Sequence, residues 1–293
     1  MSAKSTASDK TTAKKMRIGV VLYGLANPFF EDIKKGLYER AAEFGDSIDI
    51  ELRQTSFDAA SQYDAISELE KLKINGLILS PIADARIREK ISELKDKKIP
   101  TICINSDFDE SDRIAFVGTD LYKSGRTAGQ VMGMITPPNN WEVGIITGSR
   151  AVEGHEARIK GFCDVLKESY PYLTVERIEP CYGDDYKAYE TMRLMLEEHP
   201  HMHAFYFTAG GVYGGCKFLY QMTKPRPYYV VTFDELDTTR DSIRKGTISA
   251  SICQQPLSQG RLSLTLMERY LNGGVMPDDK YFTEIIIRIK ENL

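Results

Sequence analysis

Residues 16–45, MRIGVVLYGLANPFFEDIKKGLYERAAEFG, decide the fold class of this chain. The segment begins with a run of mostly aliphatic residues, which is typical of a buried strand. Asn27 then suits the capping position of a helix, and Pro28 suits its first turn. The mixed charged and apolar residues that follow indicate a helix with one buried side. A strand that leads into a helix in this way is the repeating unit of a parallel sheet covered by helices.

The same alternation continues along the chain in two rounds of about five strands. The second helix repeats apolar residues every third position, at Tyr63, Ile66, Leu69 and Leu72. The other strand patterns are IDIELRQ, GLILS, PTICIN and RIAFVG in the first round, and EVGIITG, TVERIEP, HAFYFTA, YYVVTF and ISASIC in the second. With a break near Asp120, this pattern predicts an α/β protein of two Rossmann-like, doubly wound parallel-sheet lobes.

Composition and charge argue against several classes of protein. The 293 residues are 42% hydrophobic and 27% charged, and their formal net charge of −4 gives no bulk attraction to nucleic acid or to an anionic membrane. No apolar run approaches the ~20 residues of a membrane helix, so we expect no membrane partner. Residues 1–15 lack a secretory signal pattern and are predicted to be a disordered basic tail or linker remnant. Five scattered cysteines without a CxxC pair favour a reducing cytoplasm.

Polar or aromatic side chains follow one predicted strand after another. The carboxyl ends of parallel strands share one edge of a sheet, where ligands collect, and two facing sheets can bracket a cleft. Two adjacent phenylalanines at the first strand end predict an aromatic wall against a ligand, although one in the core and one as a helix staple would fit the same pattern. We therefore expect ligand contacts from Tyr23, Phe29, Phe30, Ser80, Asn105, Asp107, His155, Arg158, Phe233, Asp234 and Gln254.

Enzymatic interpretations find little support in the sequence. The glycine-rich stretch AGGVYGG at 209–215 lacks the lysine and the spacing of a phosphate-binding loop, and neither GxGxxG nor GxSxG is present. His199, His201 and His203 have no cysteine or carboxylate beside them at a metal-ligand spacing. We expect no catalysis, no cofactor and no metal ion.

Four blocks of sequence resemble a single family. They are YGLANPFFEDIKKGLYERA, IPTICINSDFDESDRIAFVGTDLYKSGRTAGQVM, HEARIKGFCDVL and VVTFDELDTTRDSIRKGTISASICQQPLSQG. The blocks are similar, in this order, to the lactose-repressor (LacI) cores and type 1 periplasmic sugar-binding proteins. The resemblance implies a three-strand hinge near 118–121, 253–256 and 278–282. It also implies lobes of 16–119 plus 255–279 and of 120–254 plus 280–293.

The resemblance further implies roles for individual residues. Arg158 matches an arginine that grips ring and hydroxyl oxygens, and Tyr182 lies near a second aromatic wall. Other matches with ligand contacts are Asn27, Phe29, Phe30, Asp234 and Gln254, with Phe233 beside them. The chain departs from the family at Asn105, where many members have aspartate, and at 209–211, where an Asn-Asp pair is common. A usual hydroxyl acceptor is therefore missing, which leaves the sugar class open.

Two receptor roles share such a core. The first is the effector-binding core of a LacI-type transcriptional regulator, which closes on a monosaccharide-like effector and reaches operator DNA only through a headpiece absent from this chain. The free cysteines and the basic segment TTAKKMRIGVV at 11–21 favour this role. It implies a bacterial cytoplasmic homodimer that pairs through helices at 84–96 and 256–271. The alternative is an extracellular solute-binding receptor of a sugar ABC transporter.

Overall fold

The computed structural model describes residues 15–23, 28–108, 111–150, 152–222 and 228–293. The first lobe begins with β1 (Met16–Tyr23), α1 (Pro28–Glu43), β2 (Ile48–Thr55), α2 (Ala59–Lys71), β3 (Gly76–Leu79), α3 (Ala85–Asp96), β4 (Thr101–Ile104) and β5 (Ala115–Gly118). The second lobe follows with α4 (Leu121–Ile135), β6 (Trp141–Thr147), α5 (Glu153–Ser169), β7 (Leu173–Pro180), α6 (Asp185–Glu198), β8 (Met202–Phe207), α7 (Val212–Gln221), β9 (Tyr229–Phe233), α8 (Asp237–Arg244) and β10 (Ala250–Cys253). The last segment adds α9 (Pro256–Gly273), β11 (Lys280–Phe282) and β12 (Ile286–Arg288).

The two sheets share one strand order. The first sheet is β2-β1-β3-β4-β5-β11, and all its pairs are parallel. The second is β7-β6-β8-β9-β10-β12, in which only the pairing of β12 with β10 is antiparallel. The prediction of two doubly wound lobes is confirmed. Each sheet has six strands rather than about five, because the short strands β11 and β12 extend one sheet each.

Helices cover both faces of each sheet. In the first lobe, Ile33 of α1 and Leu264 of α9 pack on one face, while Ile66 of α2 and Ile91 of α3 pack on the other. In the second lobe, α4 and α5 cover one face, and α6 and α7 cover the other. Because successive strand residues point to opposite faces, strands buried on both sides need continuous apolar runs. No helix in the described ranges has the length and hydropathy needed to cross a membrane.

Each lobe contains at least one helix pair that touches backbone to backbone. A side chain on Gly36 of α1 would overlap a backbone carbonyl of α9, and one on Gly260 of α9 would overlap a carbonyl of α1. Gly125 of α4 and Gly161 of α5 stand in the same reciprocal relation in the second lobe. Since only glycine leaves this space, the sequence fixes how closely these helices approach.

The chain crosses between the lobes three times, at residues 119–120, 254–255 and 283–285. One hydrogen-bond cluster ties the crossings together. The Thr119 Oγ1 lies 2.9 Å from the Thr283 Oγ1, which also donates to the Gln254 carbonyl at 2.9 Å. The Thr283 amide donates to the Gly118 carbonyl at 2.8 Å. A bundle of short, mutually bonded linkers is the arrangement expected of a hinge.

The third crossing differs from the sequence-based boundary, which assigned all of 280–293 to the second lobe. Strand β11 pairs with β5 of the first sheet, so that Tyr281 lies opposite Val117. Only β12 pairs in the second sheet, where Ile287 lies opposite Ile252. The pattern YFTEIIIRI suggested a single strand, but it is split because the chain changes sheets at Thr283.

The two helices predicted as a dimer surface use their apolar faces inside the first lobe. Ile87, Ile91 and Leu94 of α3 are buried in one half of its core, and Leu264 and Met267 of α9 are buried in the other half. The apolar faces of these helices are therefore explained by intralobe packing, and the homodimer that the resemblance to repressors implied has no support.

Candidate functional site

Equivalent strand ends of the two lobes carry the same backbone feature. Asn105 follows β4 and Asp234 follows β9, the fourth strand of each lobe, and their φ angles are +66° and +65°. Each amide donates to a carbonyl of the neighbouring strand at 2.9 Å, from Asn105 to Val117 and from Asp234 to Ile252. Left-handed backbone is uncommon outside glycine and is best tolerated by Asn and Asp. The geometry thus explains why these two residue types stand at these positions.

Arg158 supplies a buried cation near the middle of the edge at which the strands of the second sheet end. It lies near the start of α5, and its Nη1 donates to the Thr208 carbonyl at 2.7 Å. Its guanidinium carbon lies 3.8 Å from the centroid of the Phe233 ring, a cation–π arrangement. Burial lowers the pKa of Arg158 from its usual value, and the nearby Asp234 opposes that shift. The side chain therefore spans from α5 towards the end of β9.

Asp234 and Gln254 complete this polar cluster. The Gln254 Nε2 donates to the Asp234 Oδ1 at 2.8 Å. Burial raises the pKa of Asp234, while Arg158 and the hydrogen bond from Gln254 act in the opposite direction. Among the described residues, neither the Arg158 Nε nor the Gln254 Oε1 has a hydrogen-bond partner. A buried donor beside a buried acceptor suits a ligand whose hydroxyl groups can both accept and donate.

The first lobe contributes an uncharged hydroxyl network. The Ser106 Oγ donates to the Pro81 carbonyl at 2.9 Å and lies 3.1 Å from the Ser80 Oγ and 3.5 Å from the Tyr23 hydroxyl. Ser80 and Tyr23 were expected at the site, whereas Ser106 was not. Its position between Asn105 and Asp107 is the only signal in the sequence that could have indicated it.

The predicted aromatic wall is largely part of the first lobe's core. Phe29 and Phe30 are both buried, with their rings edge to face at 5.4 Å. Tyr23 contacts Phe30 on one side and Phe57 on the other, each at 5.0 Å between ring centroids. Phe57 is 54% exposed and was missed from the sequence. Its signal is an aromatic residue at a strand end, directly before a helix cap.

Asp107 does not join the polar cluster. Its carboxylate forms an ion pair with Arg113, whose Nη2 lies 2.7 Å from the Asp107 Oδ2. The Arg113 Nη1 also bonds the Asp279 carboxylate at 2.7 Å. Through Arg113, the Asp107 carboxylate therefore links the loop after β4 to the segment before β11. It is used in this ion pair rather than in a ligand contact. Asn27, the other expected contact in these loops, lies outside the described residues.

His155 lies in the first turn of α5, and Tyr182 lies in the loop after β7. The His155 Nδ1 is 3.1 Å from both the amide nitrogen and the carbonyl oxygen of Ser149. Burial and the neighbouring Arg158 lower the pKa of His155 to about 4, so its ring is neutral at pH 7. Tyr182 donates its amide to the Gly148 carbonyl at 2.7 Å and is 65% exposed.

Protonation of His155 is expected to destabilise the protein at acid pH. Its pKa is lower in the folded state than the ~6.5 of an unfolded chain, so the unfolded state binds more protons between pH 6.5 and pH 4. Stability therefore falls as the pH decreases through that window.

Urea unfolding of the His155→Gln variant tests this prediction. Between pH 6.5 and pH 5, the unfolding free energy of the variant should fall by about 2 kcal/mol less than that of the wild-type protein. The exposed His201 provides the control: His201→Gln should retain the wild-type dependence. A His155→Gln profile parallel to wild type would contradict the assignment.

Comparison with known proteins decides the family. Residues 18–274 match the family model of the periplasmic binding protein domain. The chain belongs to the periplasmic binding protein family. The D-allose-binding periplasmic protein of Escherichia coli K12 is 26% identical over 270 residues, which cover 89% of this chain and 86% of that protein. The ribose import binding protein RbsB of Bacillus subtilis 168 is 22% identical over 267 residues, 91% of this chain and 85% of that protein.

A solved structure extends the likeness to three dimensions. GanP, a glucose-galactose binding protein from Geobacillus stearothermophilus, superposes with a TM-score of 0.87 at 27% sequence identity. The match covers 96% of this chain and 99% of GanP. These relatives are solute-binding proteins rather than enzymes.

The interpretation as a LacI-type regulator core is wrong. The relatives that match nearly the whole chain are periplasmic and import binding proteins, and nothing in them supports operator DNA as a partner or the cytoplasm as the location. That interpretation took the five free cysteines as a sign of a reducing cytoplasm, but free cysteines do not decide the compartment. Four of them are buried, and burial raises the pKa of Cys216 and Cys253 to about 12, so these thiols are protected in an oxidising compartment as well. The basic segment 1–14 lies outside the described residues.

Proposed function

We propose that this protein is an extracytoplasmic receptor that binds a sugar between its lobes and delivers it to an ABC transporter. The observation that carries the proposal is the buried cluster of Arg158, Asp234 and Gln254 beside the crossings, with a donor and an acceptor unpaired. Charged groups held in a buried site form strong hydrogen bonds with hydroxyl groups. The allose-binding and ribose import relatives support the same ligand class.

Each side of the cleft has a distinct role in this proposal. Arg158 and Asp234 bind hydroxyl groups from the second lobe, and Gln254 does so from a crossing. Asn105 and the Ser80 hydroxyl contribute neutral hydrogen bonds from the first lobe. Tyr23, whose ring contacts Phe30 and Phe57, contributes the apolar surface below the sugar ring. Because both lobes contribute, the full set of contacts forms only when they close together.

Isothermal titration calorimetry tests the ligand class. The panel is D-allose, D-ribose, D-glucose, D-galactose, D-xylose and L-arabinose, with L-leucine and L-glutamate as controls. We expect at least one sugar to bind with micromolar or tighter affinity and neither amino acid to bind. Binding of an amino acid alone would contradict the proposal. Uptake of the radiolabelled sugar by a gene-deletion strain then tests the transport role, since unchanged uptake would exclude it.

Ligand binding is expected to compact the molecule. The three crossings are short and bonded to one another, so the lobes can rotate as bodies while their cores stay intact. Small-angle X-ray scattering with and without the tightest-binding sugar should show a smaller radius of gyration in the bound state. A larger radius at saturation would contradict closure around the ligand.

A further inference from the structure

The cleft runs in a definite direction across both sheets. The crossings leave the sheets at β5 and β10, and the opposite edges are β2 and β7. Neighbouring strands lie ~4.8 Å apart, so three steps separate the end of β4 from the end of β2 by ~14 Å. The same three steps lead from β9 to β7. Because β2 and β7 lie farthest from the crossings, their ends form the mouth of the cleft.

The end of the cleft nearest the crossings is polar. Asp234 and Gln254 lie at the ends of β9 and β10, and the Arg158 guanidinium reaches towards them over the Phe233 ring. The hydroxyl groups of a single sugar ring are enough to satisfy the hydrogen-bonding capacity of these three side chains. They lie two or more strands away from the mouth.

The mouth carries an exposed aromatic residue from each lobe. Phe57 follows β2, directly before Asp58, whose side chain caps α2. Tyr182 follows β7, two residues before Asp184, whose side chain caps α6. Since β2 and β7 are the second strands of their lobes, the two aromatics occupy equivalent places. They are 54% and 65% exposed, so each leaves aromatic surface available for contact with an apolar ligand face.

Two further observations point to a ligand at the mouth. Tyr182 has a φ of +57°, a left-handed conformation that is strained for a bulky residue and that clusters at functional sites. Between Tyr182 and the polar end, the loop after Thr208 carries Ala209, Gly210 and Gly211, which have no hydrogen-bonding side chain. The loop after β8 therefore offers a second sugar unit no side-chain hydrogen bond, in contrast to the polar cluster at the inner end.

We propose that the natural ligand is longer than one sugar ring: a disaccharide or a glycoside. One ring binds at the polar end, and the second unit stacks its apolar C–H face on Phe57 and Tyr182. Sugar rings have such faces, and aromatic side chains supply large apolar area at low conformational cost. This inference rests on the proposed sugar binding and adds the length and the polarity of the ligand.

Calorimetry with matched ligands tests the inference. The probes are the tightest-binding monosaccharide of the panel, its p-nitrophenyl α- and β-glycosides, and cellobiose, maltose, lactose and melibiose. We expect at least one two-unit ligand to bind about tenfold more tightly than the monosaccharide, as burial of one aromatic-sized face predicts. Phe57→Ala and Tyr182→Ala should each remove most of that gain, and Phe57→Ala should change monosaccharide affinity less than about threefold.

Tyr220 provides the matched control. It is 67% exposed and has a lysine 5.6 Å above its ring, as Tyr182 has Lys187 at 4.9 Å, but it lies at the far end of α7. Tyr220→Ala should leave both affinities unchanged. The inference is overturned if every two-unit ligand binds no more tightly than the monosaccharide, or if the mouth variants weaken both ligand types equally. A wild-type protein that binds no sugar at all would instead reject the proposed function, and the inference with it.

Discussion

Replacing Arg158 with alanine is expected to weaken sugar binding by ~1.5–3 kcal/mol, or roughly 10- to 150-fold in Kd. The guanidinium is buried, is oriented by the Thr208 carbonyl, and has an Nε without a partner among the described residues. A ligand hydroxyl that bonds to it therefore forms a charge-assisted hydrogen bond away from water. The measurement is calorimetry with the tightest-binding sugar, together with a thermal melt of the ligand-free variant to verify folding.

Arg150 provides the control for this prediction, since it lies eight residues earlier in the same lobe. Its side chain is half exposed and pairs with Glu156. Exposed ion pairs contribute little, so Arg150→Ala should change the Kd less than about twofold. Arg158→Lys keeps the charge but loses the planar fork, and we expect it to bind more weakly than wild type. Equal affinities for Arg158→Ala and wild type would remove Arg158 from the site.

Gly125→Ala is expected to lower stability and sugar affinity together. The added methyl group would overlap the backbone carbonyl of Arg158, and no side-chain rotation can relieve a clash with backbone. Helices α4 and α5 must then separate, which should cost at least ~1–3 kcal/mol of unfolding free energy. Because α5 carries Arg158, the guanidinium should shift away from Asp234. Urea unfolding measures the first effect and calorimetry the second.

Gly273, near the end of α9, controls for the substitution itself. A side chain there would make only an ordinary contact, 3.5 Å from Val275. Gly273→Ala should therefore be neutral or slightly stabilising, because alanine favours helices over glycine. An unchanged urea midpoint for Gly125→Ala would contradict the prediction, because it would mean that the close approach of α4 and α5 does not contribute to stability.

The sequence predicts the architecture well because two periodicities dominate it. Aliphatic runs such as 76–79 and amphipathic helices such as 59–71 alternate without long interruptions. The last crossing is harder, because residues 281–289 are rich in aromatic and β-branched residues and are typical of a single strand. What divides it is the bond from the Thr283 amide to the Gly118 carbonyl, a contact between residues far apart in the chain.

The candidate site is predictable only in part. Asp234 and Gln254 could be found because they follow strands whose ends meet at one edge. Asp107 follows β4 in the same way, yet Arg113 draws its charge into an ion pair, and no local pattern reveals that partner. The choice between regulator and transport receptor failed for a different reason. Both classes share this core, so the residues that form the lobes do not distinguish them.

The threading of the chain through the hinge has a consequence for biosynthesis. Helix α9 supplies Leu264 and Met267 to the first lobe's core, but the whole second lobe separates it from residues 16–118. A ribosome thus releases the amino-terminal lobe long before the helix that must cover one face of its sheet. The second lobe lacks only its edge strand β12 once Cys253 has emerged. We therefore expect the lobe made later to complete its core before the lobe made first, against the usual amino-to-carboxyl order.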